Sequence, residues 1–328
     1  MRTKGINYDT GFFPGGYNTR VTFDPETVRR EMLTIANDLH CTAVRITGGD
    51  PERLSVAARH AADAGLEVWF APFPCEMTLE ELAPLFADCA ERAEAVRRGG
   101  AEVVLVTGCE MSLFSAGFIP GGSVYERIAA LGSGDHEVYA GLAEMPARMN
   151  AFLAETVEAA RKVFGGRITY ASGEWEDVDW GPFDIVSVDA YRDADNAATY
   201  REGLRSRKGL GKPVAVTEFG TCAYAGAGAR GGMAWAILDW TAEPPQLDGD
   251  YVRDEGEQVR YLQESLAVFE DEGVDAAFWF TFAGYGTPYH PDDPRLDLDM
   301  ASYGVVRILG DGGQEPKEVF HALAAAYA

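Results

Sequence analysis

The residues best placed to do chemistry are two glutamates. Glu110 ends the run A-E-V-V-L-V-T-G-C-E, and Glu218 falls at the end of K-P-V-A-V-T-E-F-G. Each closes a short apolar run, and the two lie far apart in the chain. A pair of carboxylates facing each other across a cleft is the minimum equipment for splitting a glycosidic bond. One protonates the leaving oxygen, and the other attacks the sugar or activates water. A spacing of about 5–5.5 Å suits direct attack, and about 6.5–9.5 Å leaves room for a water. Such a pair requires a scaffold that brings the ends of two distant strands to one place.

The pattern along the chain predicts that scaffold. Apolar, strand-like runs occur at 4–9, 42–47, 67–73, 102–107, 167–172, 184–191, 213–219 and 276–282. Most are apolar at consecutive positions, as strands covered on both faces require. Segments of helical period separate them. In the first of these, Asp24-Pro25 reads as an N-cap followed by proline at the first helical position. Val28, Met32, Ile35 and Leu39 then form one apolar stripe. Gly65, Gly100, Gly166, Gly211 and Gly273 each fall just before a strand, where a left-handed residue can end a helix. The expected fold is α/β, a (β/α)8 TIM barrel, with residues 1–328 as a single domain.

Three connections are too long for plain turns: 111–137 after strand 4, 220–253 after strand 7 and 283–303 after strand 8. All lie at the C-terminal ends of strands, where barrel loops build a site. The strand ends themselves read Asp9, Arg45, Glu76, Glu110, Glu174, Tyr191, Glu218 and Trp279, all polar or aromatic. Trp69, Trp175, Tyr285 and Tyr289 add aromatic surface expected at or near the same mouth, suited to stacking on sugar rings.

Composition narrows the partners. The formal charge is −24, with 52 acidic against 28 basic residues, so a phosphate backbone would be repelled. Hydrophobic residues make up 47% of the 328, enough for a large core. No run is long and apolar enough to span a membrane, and the N-terminus lacks the apolar stretch of a secretory leader, so a cytoplasmic location is expected. The five cysteines form no C-x-x-C pair and suggest reduced thiols. The expected partner is a carbohydrate or other small molecule, with no nucleic acid, no membrane, no cofactor and no metal, and an open oligomeric state. The segment G-A-G-A-R-G-G at 226–232 matches no phosphate-binding loop and reads as a flexible lid.

These motifs resemble the large clan of retaining glycoside hydrolases, the cellulase-like superfamily, and the likeness covers essentially the whole chain. The resemblance implies Glu110 as acid/base and Glu218 as nucleophile. It implies Arg45 as a brace for the nucleophile, Tyr191 as its hydrogen-bond donor and Trp279 as the floor of the sugar site. The closing segments S-Y-G-V-V-R and E-P-K-E-V-F-H-A-L fit the same pattern. Two positions depart from it. Cys109 stands where the clan usually has the asparagine that holds the sugar 2-hydroxyl, and Asp189 stands where many members have histidine. A substrate-binding set of Arg45, Trp69, Cys109, Glu174, Tyr191, Trp279 and Tyr285 follows.

Other readings are a barrel diverted to a cyclase, isomerase or lyase reaction, and a carbohydrate-binding or defence protein without turnover. A metal-dependent version would use Glu76, Glu110, Glu174 and Glu218. Cys75, Cys109 and Cys222, with Glu76 and His290, would be the residues of a metal or thiol centre.

Overall fold

Eight strands build the central sheet of the computed structural model: β1 (Thr3–Asp9), β2 (Ala43–Gly48), β3 (Glu67–Pro72), β4 (Val103–Cys109), β5 (Arg167–Ala171), β6 (Val186–Asp189), β7 (Val214–Phe219) and β8 (Ala276–Trp279). The structure describes residues 1–133 and 142–328, so the 134–137 end of the long connection after β4 lies outside the described residues. The sheet order is β5-β4-β3-β2-β1-β8-β7-β6. Ser172, just past β5, bridges Val188 of β6 in parallel, so the two ends of that order meet. This is a nearly closed (β/α)8 barrel. The consecutive apolar positions explain it, because β2, β4, β7 and β8 are buried at every residue.

The helices α1 (Pro25–Asn37), α2 (Pro51–Asp63), α3 (Leu79–Arg98), α4 (Met111–Phe114), α5 (Val124–Gly132), α6 (Met145–Arg161), α7 (Tyr200–Lys208), α8 (Glu255–Glu272) and α9 (Glu318–Tyr327) follow in chain order. At the start of α1 the Asp24 carboxylate accepts from the Thr27 backbone N–H at 2.8 Å, and Val28, Met32, Ile35 and Leu39 are fully buried. Gly273 ends α8 with a φ of 68°, the left-handed cap its position suggested. Gly166 is different. Its φ is not left-handed, and a Cβ there would lie 2.7 Å from the Val103 carbonyl oxygen, so close backbone approach explains the glycine.

The contacts divide the chain into two units. The first comprises Met1–Tyr8, Thr34–Thr42 and Ala190–Ala328. Within it β1 pairs with β8 (Ile6 opposite Trp279), and β8 pairs with β7 (Trp279 opposite Phe219). Its connection after β7 holds a 3-10 segment, Ala227–Met233, and a short antiparallel pairing of Leu238–Asp239 with Gln246–Leu247. The second unit comprises Asp9–Leu33 and Ala43–Asp189. Within it β2, β3, β4 and β5 pair in parallel, with Arg45 opposite Trp69. No helix among the described residues is long and apolar enough to cross a membrane.

Candidate active site

In the second unit the site begins where β4 ends. Glu110 has left-handed backbone angles (φ 41°, ψ 46°) and caps the one-turn helix α4. For a side chain with a Cβ this conformation costs roughly 1–2 kcal/mol, so the surroundings must hold it. They do so from both sides. The Glu110 N–H donates to the Ala171 carbonyl at 2.9 Å, and its own carbonyl accepts from Leu113 and Phe114. The turn lifts the carboxylate out of the buried strand, and Glu110 is partly exposed while Cys109 behind it is 3% exposed.

Cys109 has a specific partner. Its thiol donates to Asp189 Oδ2 at 3.3 Å, joining the ends of β4 and β6 across 80 positions of sequence. The two departures from the expected pattern are therefore in contact with each other.

The expected positions after β3 and β5 are modified by the structure. Glu76 is fully engaged. Gly15 and Val124 donate their backbone N–H groups to its Oε1 at 3.1 and 2.8 Å, and Arg127 pairs with Oε2. It ties the loops after β1, β3 and β4 together, which removes it from the proposed metal set. Glu174 is exposed on the turn after β5, and the carboxylate that turns inward is Glu176, which the sequence reading missed. Trp175 is half exposed, and its indole N–H donates to Ser112 Oγ at 3.0 Å. Trp69 does not reach a rim. It is fully buried, and its indole donates to Glu67 at the first residue of β3, where Glu67 also pairs with Arg167 at the start of β5. That is the N-terminal side of the strands, away from the C-terminal ends where a substrate would sit. Arg45 is wholly buried in the middle of β2.

In the first unit Glu218 lies near the end of β7 and is 7% exposed. The Tyr191 phenol donates to Glu218 Oε2 at 2.8 Å. The tyrosine is itself held, because Asn196 donates to its carbonyl at 2.8 Å and Ala190 donates to the Glu218 carbonyl at 2.8 Å.

The aromatic partner on β8 is one residue away from the expected one. Trp279 is fully buried, packs edge-on to Phe219 with centroids 5.4 Å apart, and Phe219 packs in turn against Phe269 of α8. Trp279 therefore faces the helix layer. Successive strand residues point to opposite faces, so Phe219 and Glu218 also diverge. Phe280, the next residue, is partly buried and meets the Tyr303 ring at 5.6 Å; Tyr303 meets Tyr191 at 5.9 Å. The aromatic cluster beside Glu218 is thus Tyr191, Tyr303 and Phe280. Tyr285 is partly buried in the loop after β8.

The thiol-centre alternative finds little support. Burial pushes the Cys75 thiol up to about 12. Cys222 is buried, its pKa is driven well above the ordinary range by desolvation, and its thiol donates to the Ala301 carbonyl at 3.1 Å. Neither is a ready thiolate. His290 is exposed on the loop after β8. The segment 226–232 is tied down. Gly228 N–H donates to Glu257 at 3.1 Å, Gly231 accepts from the Tyr303 phenol at 3.1 Å, and Ala227 is fully buried. These bonds replace the expected flexible lid with a packed wall.

The fold defined here is that of the (β/α)8 barrels, with a carboxylate at or near the end of β4 and of β7. Solved structures share it along the whole chain. One is a GH113 β-1,4-mannanase, with 16% identity and a TM-score of 0.65 over 99% of this chain and 100% of that chain. Another is the GH113 β-mannanase of Alicyclobacillus acidocaldarius in complex with ManMIm, at 17% identity and a TM-score of 0.59, covering 99% of this chain and 97% of that chain. A third is a β-glucuronidase of Parabacteroides merdae, at 14% identity and a TM-score of 0.63, covering 100% of this chain and 39% of that chain. At such identities the likeness establishes the fold. No family model and no curated protein sequence matches the chain.

Proposed function

We propose that this chain is a glycoside hydrolase-like enzyme working by double displacement, with residues 1–328 acting as one barrel domain. Glu218 is the nucleophile and Glu110 the acid/base, and the substrate is a glycan or a glycosylated small molecule. The observation that carries this reading is the Tyr191–Glu218 hydrogen bond, a phenol donor on a largely buried carboxylate near a barrel strand's C-terminal end. The likeness to mannanases and a glucuronidase supports a carbohydrate substrate.

In the first step Glu218 attacks the anomeric carbon while Glu110 gives its proton to the leaving oxygen, so the glycosidic bond breaks as the ester bond forms. In the second step Glu110, now a carboxylate, takes a proton from water, whose oxygen attacks the anomeric carbon and releases Glu218. The Tyr191 phenol, donating to Oε2, serves to orient the Glu218 carboxylate. Tyr285 and Glu174 remain candidates for contacts at the rim. Phe280 takes the stacking role first assigned to Trp279.

The test is a panel of aryl glycosides assayed with the wild type, Glu218→Gln and Glu110→Gln. The expected result is cleavage by the wild type with retained anomeric configuration in the first-formed product, and loss of at least a hundredfold in both variants. A wild type that cleaves none of the panel, or variants that match it, would overturn the reading.

A further inference from the structure

Glu176 lies on the turn after β5, is 8% exposed, and collects four hydrogen bonds on one carboxylate. Gly173 N–H and the Tyr170 phenol donate to Oε2 at 3.0 and 2.8 Å. Ser112 donates to Oε1 twice, from its backbone N–H at 3.0 Å and its hydroxyl at 2.6 Å. The Tyr170 oxygen in turn accepts from the Met111 backbone N–H at 2.7 Å. Met111 and Ser112 are the two residues that follow Glu110. The first N–H groups of a helix have no intrahelical acceptor. Here the first two of α4 both end on Glu176, one directly and one through the Tyr170 phenol.

This arrangement is specific to a carboxylate. Its oxygens accept from all four donors without having to donate, whereas a glutamine would aim an amide N–H at one of them. It is also costly, because burial raises the Glu176 pKa and all four donors are neutral. A tie needed only for stability would be served better by a neutral acceptor. What distinguishes this place is the residue the tie immobilises: Glu110, in a left-handed conformation at the head of the same turn.

We infer that Glu176 is a positioning residue for the acid/base: through Ser112 directly, and through Tyr170 and Met111, it holds the turn that aims the Glu110 carboxyl. This rests on the reading of Glu110 given above. Misplacement of a catalytic group by about 1 Å can cost on the order of a hundredfold in rate. The loss falls on the step that needs a proton donor. It is large for leaving groups of high pKa and small for good ones such as dinitrophenolate.

The experiment measures kcat/KM for wild type, Glu176→Gln and Tyr170→Phe on aryl glycosides spanning leaving-group pKa, with thermal melts of each protein. The expected result is a steeper dependence on leaving-group pKa in both variants, with losses of about 10–100-fold on the poorest leaving group, little loss on the dinitrophenyl glycoside, and KM nearly unchanged. Tyr170→Phe cuts only the Met111 branch and serves if Glu176→Gln does not fold. Folded variants with an unchanged slope, or with a uniform loss across the series, overturn the inference while leaving Glu110 as acid/base. A wild type inert to every glycoside overturns the functional reading, and this inference with it.

Discussion

The Cys109 thiol donates to the Asp189 carboxylate at 3.3 Å, both side chains being almost wholly buried at the ends of β4 and β6. The two residues that set this chain apart from its expected pattern thus form one contact. A thiol is a weak donor, and the Asp189 carboxylate is the acceptor it meets.

A double-mutant cycle measures that coupling. Cys109→Ala, Asp189→Asn and the double variant are expected to be non-additive in denaturant unfolding, by about 1 kcal/mol. Each single change disturbs the same buried hydrogen bond, so the second change has less left to disturb. Additivity within roughly 0.3 kcal/mol would show that the contact carries no energy of its own.

Phe280 and Trp279 are neighbours with opposite assignments. Trp279 packs against Phe219 on the helix side of β8 and donates to the Tyr303 carbonyl at 3.1 Å. Trp279→Ala is expected to cost about 3–5 kcal/mol of stability, as for other large buried aromatics. Phe280→Ala is expected to leave the melting temperature closer to wild type and to raise KM for a cleaved glycoside by roughly tenfold, the scale of a lost aromatic contact. If Trp279→Ala is the variant with weakened substrate binding and near-normal stability, the facing of β8 is the reverse of that described.

Glu94 gives a pH signature. Its carboxylate accepts from Arg97 Nε at 2.7 Å, from the Gly165 backbone N–H at 3.0 Å and from Arg98 at 2.8 Å, tying α3 to the segment before β5. Those donors, Arg97 foremost, hold its pKa down to about 2. A carboxylate depressed in the folded state stabilises the protein above its unfolded pKa, and that contribution is lost as the pH falls through the folded one. Glu94→Gln should therefore melt below wild type at pH 7, with the gap closing between about pH 4.5 and about pH 2. Scanning calorimetry across that range checks it, and a gap that stays constant would contradict the assignment. Arg97 and Arg98 are themselves substantially exposed, so added salt should shrink the gap as well.

Much of the scaffold is legible in local sequence, for reasons of covering and spacing. A strand covered on both faces needs consecutive apolar residues, and that signal located all eight barrel strands within two or three residues at nearly every end. It also located Glu110 and Glu218, because a carboxylate that ends such a run marks the point where the chain leaves the core. The same property hides which way a side chain faces. A strand apolar at every position has no alternation to read, and a shift of one residue exchanges its two faces. Hence Trp279 and Phe280 could not be told apart, and neither could Glu174 and Glu176 on a turn without periodicity.

The remaining features arise from partners far apart in the chain. Glu176 meets Ser112 from 64 positions away, and Cys109 meets Asp189 from 80. Trp69 is held at the N-terminal side of its strand by Glu67, whose other partner, Arg167, is 100 positions away. By itself the sequence determined the barrel, its strands and the glutamates at their ends, because covering each strand on both faces writes a local pattern. Only the tertiary structure decided which face each side chain takes and what it touches, because those contacts join residues that no local pattern links.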